Sequence, residues 1–153
     1  MKVVFMVAML LVGCTKAQKP LITLEMYDGT STTIFTVEAD GVVVYGGGAE
    51  ALAGETTWQG ELRVSQIKKL RSLIQLSTFE EPKTSHKKRF VIATELDGRY
   101  TKTTVDINNY SAQELFYFLQ EATISDRISS ILEHLPKPTM DVISDREVRG
   151  ARQ

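Results

Sequence analysis

Three Asp-Gly pairs, at 28-29, 40-41 and 97-98, each stand between runs rich in β-branched and aromatic residues. Both residue types tolerate positive φ, which tight hairpin turns demand, so each pair predicts a reversal between two antiparallel strands. The pattern predicts strands over about 21-27, 33-39, 42-47, 89-96 and 99-107, with a further short strand over 56-62. Alternation agrees with this reading. Phe35, Val37 and Ala39 share one face against Thr36 and Glu38, and Phe90, Ile92 and Leu96 oppose Glu95. A sheet with one apolar and one wet face follows, as antiparallel sheets allow.

Three helices are predicted from caps and from 3.6-residue periodicity. Ser65 opens a run, to about 77, carrying Ile67, Leu70, Leu73 and Ile74. Ser111-Ala-Gln-Glu114 reads as a capping box before Leu115, Phe116 and Leu119, with the helix over 111-122. Ser125 precedes Ile128, Ile131, Leu132 and Leu135, and Pro136 and Pro138 end that helix. The order strand, Asp-Gly, strand, helix therefore occurs twice, either by duplication or because two hairpins each happen to precede a helix. The expected fold is α+β, a mostly antiparallel sheet of hairpins with about three helices packed on one face.

The start of the chain is of another kind. Met1-Lys2 places one positive charge before Val3 to Val12, ten apolar residues, and charges return only at Lys16 and Lys19. As a helix this run spans about 15 Å, half of a bilayer's hydrocarbon core, which suits a signal peptide and not a stable span. Leu11-Val12-Gly13-Cys14 resembles the lipobox of bacterial lipoproteins. The resemblance implies diacylglyceryl transfer to the Cys14 thiol, cleavage between Gly13 and Cys14, and acylation of the new amino terminus. Thr15, and not aspartate, follows the cysteine, which by the sorting habit of Gram-negative lipoproteins implies the periplasmic face of the outer membrane. A competing arrangement uses Thr15-Lys16-Ala17 as an ordinary cleavage site and discards Cys14.

On this reading residues 1-13 are the signal, 14-20 the lipidated cysteine and linker, 21-135 a single α+β domain, and 136-153 a polar tail that need not fold. The segment "VEADGVVVYGG", a tryptophan-bearing strand and a leucine-rich helix ending at Phe79 are together similar to an uncharacterised domain of bacterial secreted proteins and lipoproteins. That similarity implies an α+β body and brings no activity with it.

Charge and residue chemistry narrow the function. A formal net charge of −1 gives no electrostatic reason to bind nucleic acid, and a single cysteine leaves no disulfide to staple an exported domain. A nucleophilic triad needs a histidine, and only His86 and His134 exist. His86 sits in a loop among Lys83, Lys87, Lys88 and Arg89, and His134 reads as a cap on the last helical turn. Asp28, Asp40 and Asp97 read as turn residues, with no calcium-loop spacing, and no zinc-type cluster exists, so neither a metal nor another cofactor is expected. The glycine-rich stretch 45-55 lacks the Lys-Ser/Thr of a phosphate loop and is expected to be a flexible connection.

What remains is a lipid-anchored envelope protein acting as a non-catalytic binding or assembly module, held to the membrane through Cys14 and meeting an envelope protein or polysaccharide. The alternative is a carboxylate-based hydrolase or transferase, with Asp106 and Glu95 as the acids. Over 111-122, Ala112, Leu115, Phe116, Phe118, Leu119 and Ala122 fill an arc of about 160°, and Tyr117 points away from it. Tyr117 then either packs against the segment after Ala122 or joins Trp58 and Tyr45 in an exposed aromatic patch for a partner.

Overall fold

The computed structural model describes residues 19–80 and 87–136. Six strands, β1 (Ile22–Asp28), β2 (Thr32–Val37), β3 (Val42–Gly47), β4 (Trp58–Glu61), β5 (Lys88–Leu96) and β6 (Arg99–Asp106), form one sheet in the order β4-β3-β2-β1-β5-β6. Every neighbouring pair is antiparallel. The first strand therefore lies inside the sheet, with the β2–β3 hairpin on one side and the β5–β6 hairpin on the other.

All three Asp-Gly pairs sit at hairpin turns, but only one is a two-residue turn. Asp97 and Gly98 have φ of 51° and 75° and close β5 onto β6 directly. At Asp40-Gly41 the loop widens. The Asp40 carboxylate accepts from the Val42 N–H at 3.1 Å, and the Glu38 N–H donates to the Val42 carbonyl at 2.8 Å. That wider loop is why β2 ends at Val37 and Ala39 lies in the turn instead of the strand. At Asp28-Gly29 the loop includes Thr30 and Ser31, with the Asp28 N–H donating to the Ser31 carbonyl at 3.0 Å.

One sheet face is the core. Ile22, Leu24, Phe35, Val37, Val43, Phe90, Ile92 and Val105 are buried there. Two helices cover them: α2 (Val64–Leu76) through Leu70 and Ile74, and α3 (Tyr110–His134) through Ala112, Leu115, Phe116 and Leu119. The chain between β3 and β4, expected to be a flexible connection, contains a third helix, the short α1 (Gly48–Leu52). It lies on the other face, because a Cβ built on Gly46, which points away from the core, would meet the Ala51 side chain at 3.5 Å. The antiparallel α+β class holds, with two helices on the core face and the smallest opposite.

The predicted helices at 111-122 and 125-135 are one helix of 25 residues. Nothing between Tyr110 and His134 is glycine or proline, and Ser125 lies in the interior of the helix. The Thr123 hydroxyl, instead of capping a new start, turns back to the Leu119 carbonyl at 2.8 Å. Pro136 follows the C-cap Leu135, as expected. The starts differ too. Asn109, not Ser111, caps α3, its side chain accepting from the Ala112 N–H at 2.9 Å. Ser111 is free to accept from the Thr78 N–H at 3.2 Å, joining the end of α2 to the start of α3. Ser65 lies within the first turn of α2, whose N-cap is Arg63, with its N–H held by the Gln66 side chain at 2.8 Å. Among the described residues no helix is long and apolar enough to cross a membrane.

Two glycines separate backbone strain from packing. Gly98 has φ of 75° and open space around a built Cβ, so Gly98→Ala should cost about 1–2 kcal/mol, the left-handed penalty alone. Gly41 has φ of 104°, and a Cβ there would also press on Ile67 and lie 3.2 Å from the Leu62 carbonyl oxygen. Gly41→Ala should therefore lose clearly more in a denaturant melt than Gly98→Ala, and equal losses would contradict the packing of α2 on this turn.

Candidate functional site

Tyr45 and Trp58 are cross-strand partners on β3 and β4, both on the core-facing side. Each is followed two residues later on the same face by a glycine, Gly47 and Gly60, and a Cβ on either would run into the ring. The missing side chains let both rings lie along their own strands, over Gly47 and Gly60.

From α3 comes Arg127. Its guanidinium carbon stands 3.8 Å from the Tyr45 ring centroid and 5.8 Å from that of Phe35. Such stacking suits a planar, weakly hydrated cation. Its Nη1 atom is buried without a hydrogen-bond partner. An unpaired buried donor is destabilising by about 1–3 kcal/mol, so the fold tolerates here a group it does not satisfy.

Around these three residues lies a cleft of about 590 Å³, whose other wall is Ile128, Ile131 and Leu135. That volume is in the range of small-molecule and peptide sites. His134 stands at the rim, its Nδ1 2.7 Å from the Ser130 carbonyl, which fixes the proton on that nitrogen. The bond runs back to the carbonyl four residues earlier, within the helix's own ladder, as it does at Thr123, and does not satisfy the open carbonyls of the helix end where a cap was expected. The chemistry of the cleft is recognition: flat aromatic floor, aliphatic wall, one cation with hydrogen-bonding capacity to spare. It suits a segment or ligand with an apolar body and an acceptor or anionic group.

Of the aromatic residues singled out in the sequence, Tyr45 and Trp58 meet and Tyr117 stands apart. Tyr117 is 64% exposed, lies edge-on to Phe116 at 5.9 Å, and lines a different groove, of about 300 Å³, with Lys69 and Leu73 of α2. The two carboxylates of the alternative reading do not converge. Glu95 is opposite Tyr100 and Asp106 is opposite Arg89, so six residues of β6 separate their positions, about 20 Å. Asp28, Asp40 and Asp97 are all at turns, and Asp28 pairs with Lys88. Among the described residues no group of three or more His, Cys, Asp or Glu side chains is placed to hold a metal ion. Gly13, Cys14 and His86 lie outside the described residues.

Elsewhere on the open face, the Tyr27 hydroxyl donates to Glu25 at 2.7 Å, and this bond, with burial and the nearby Glu25 charge, holds its pKa above the ordinary value. Arg89 stacks on the same ring at 4.7 Å. The cluster is a surface brace between β1 and β5.

Arg127 escaped the sequence reading although a signal for it exists. Phe116, Leu119, Thr123 and Arg127 follow one another at steps of three and four, so a charged residue continues the buried stripe of α3. Placing a helix break at Ser125 hides that continuity.

Arg127→Met should leave the melting free energy within about 1 kcal/mol of the parent, or raise it, because the lost stacking on Tyr45 is offset by removal of an unsatisfied donor. Tyr117→Ala should be neutral within about 0.5 kcal/mol, and Leu119→Ala, fully buried, should cost about 2–5 kcal/mol. A loss above 2 kcal/mol for Arg127→Met would make that residue a structural brace and remove it from the site.

Compared with known protein families and with curated proteins, the chain matches no family model and no curated sequence, and the chemistry of the cleft itself carries the functional reading.

Proposed function

We propose that this chain is a lipid-anchored protein of the bacterial envelope that acts without catalysis, as a binding module, through the cleft between α3 and the β3–β4 edge. The observation that carries the binding reading is Tyr45 lying under Arg127, whose buried Nη1 has no partner, with Trp58 beside Tyr45 on the next strand and lining the same cleft. An interior that served stability alone would put an aliphatic side chain at 127. Binding sites concentrate such aromatic and arginine anchors, with apolar walls around them.

The anchoring half of the proposal rests on the Leu11-Val12-Gly13-Cys14 signal, and the body is compatible with it. Burial begins at Leu21, followed at once by β1, so a linker ending at Pro20 hands the chain directly to an interior strand. Lys19 extends over the Tyr100 ring, 4.2 Å from its centroid, at the β5–β6 turn end of the sheet. Two or three acyl chains, at about 0.8 kcal/mol per buried CH₂, would make release from the membrane negligible.

Both halves are tested in one strain set. A clickable fatty-acid analogue should label the parent chain and not Cys14→Ala, and an unlabelled parent contradicts the anchor. A photo-crosslinking amino acid in place of Trp58 should give a discrete adduct in the native membrane, while the same group at Lys102, exposed on the open face of β6, should not. The Trp58 adduct should weaken severalfold with Arg127→Met. Equal adducts from both positions would contradict a specific cleft.

A further inference from the structure

The cleft over Tyr45 and Trp58 runs out where α3 ends. Its aliphatic wall, Ile128, Ile131 and Leu135, is 49%, 61% and 53% exposed, and Leu135 is the C-cap of the helix. The chain therefore leaves α3 at the mouth of the cleft, through Pro136 and into residues 137–153, which lie outside the described residues. The densest apolar cluster of that stretch is Met140, Val142 and Ile143, and from Thr139 to Asp145 it carries two acids, Asp141 and Asp145, and no base. The cleft has the complementary charge. Arg127 and His134 are its basic side chains and no carboxylate lines it, Asp126 and Glu133 of the same helical turns lying outside the lining. Arg127 has an Nη1 without a hydrogen-bond partner among the described residues.

We propose that residues 140–145 of the same chain occupy the cleft, with Val142 and Ile143 on the aliphatic wall and the Asp145 carboxylate accepting from the Arg127 guanidinium, so that a partner enters only by displacing them. This regulation rests on the binding reading of the cleft.

The length of chain suits it. Proline favours the second position of a β-turn, so Lys137-Pro138-Thr139-Met140 is built to reverse direction. Arg127 lies eight residues before Leu135, about 12 Å back along the helix axis. Five extended residues from Met140 to Asp145 return about 17 Å, of which about 7 Å retraces the step from Leu135 to Lys137, and the remaining distance of about 10 Å brings Asp145 nearly level with Arg127. Val142 and Ile143 then fall beside Leu135 and Ile131. Only four residues separate Leu135 from Met140, so the segment is held at the cleft at an effective concentration on the order of millimolar. The same segment of a second copy has no such advantage.

Trp58 is the single tryptophan of the chain, so its fluorescence reports on the cleft alone. In the intact chain, with no partner present, Val142→Asp combined with Ile143→Asp should at least double the acrylamide quenching constant of Trp58. Asp145→Asn should raise it by a smaller factor, and Ala151→Asp should leave it as in the parent. A synthetic peptide of residues 137–147 should return the doubly substituted chain to the parent value in a saturable way. In the native membrane, the partner adduct formed by a photo-crosslinker at position 58 should strengthen severalfold in that chain. All these substitutions lie outside the helices and strands described, and unchanged far-ultraviolet circular dichroism confirms that each chain folds. Equal quenching in the parent and the doubly substituted chain would overturn the proposal, while a partner adduct at position 58 would still uphold the binding reading. Quenching that rises with no adduct in either chain upholds the segment as occupant and rejects the partner. Parent quenching that rises on dilution would mean that the segment comes from another copy, and would overturn the proposal too.

Discussion

Phe116 holds the structure together. Its ring meets Phe35 of β2 edge-on at 6.0 Å and Phe90 of β5 at 5.8 Å, on the two strands that flank β1. A single helical side chain therefore ties the two hairpins to each other across the strand between them. Three turns further along the same helix, Arg127 lies on Tyr45, which itself packs on Phe35 at 5.1 Å. These two contacts fix the direction of α3 across the sheet and suspend its second half above the β3–β4 edge. The cleft is the space this suspension leaves. α2 does not fill it: Lys69 of α2 sits 5.2 Å from the Phe118 ring, beside the first half of α3.

The position of β1 has a consequence for assembly of the fold. β1 pairs with β2 through the next turn, but its other partner, β5, lies some seventy residues later, with Leu24 opposite Ile92. Such non-local pairing costs loop-closure entropy before it yields burial, so closing the sheet around β1 belongs late in folding. The core that rewards it is one cluster, from Leu21 to Leu119, that includes residues of both long helices.

How far the sequence foretold this depends on whether a feature is local. The Asp-Gly pairs found the reversals from β1 to β2, β2 to β3 and β5 to β6 because tolerance of positive φ is a property of those residues, as Asp97 and Gly98 display, whereas β3 returns to β4 through α1 without such a pair. Alternation named the buried side of β2 and β5 correctly, since Phe35, Val37, Phe90 and Ile92 are all buried. Caps were harder. Serines at 65, 111 and 125 all fit a cap by composition, but tertiary contacts decided among neighbours, with Ser111 diverted to Thr78 and Ser125 left inside α3. Tyr45 and Trp58 were singled out as aromatics, but their pairing is set by strand register, which nothing local specifies. Arg127 became visible only when the break at Ser125 disappeared. The short α1 lacks the length to show periodicity, and a glycine-rich stretch reads as loop.

The central claim is that one uninterrupted α3 carries both Phe116 and Arg127. Sequential amide–amide nuclear Overhauser effects, measured on the full chain, test it at the peptide level. The account predicts an unbroken series from Ser111 through Glu133, including the steps from Ala122 to Arg127. A gap at Thr123 to Asp126, with extended-type connectivities there, would mean two helices joined by a turn, and the cleft over Tyr45 and Trp58 would not exist in this form.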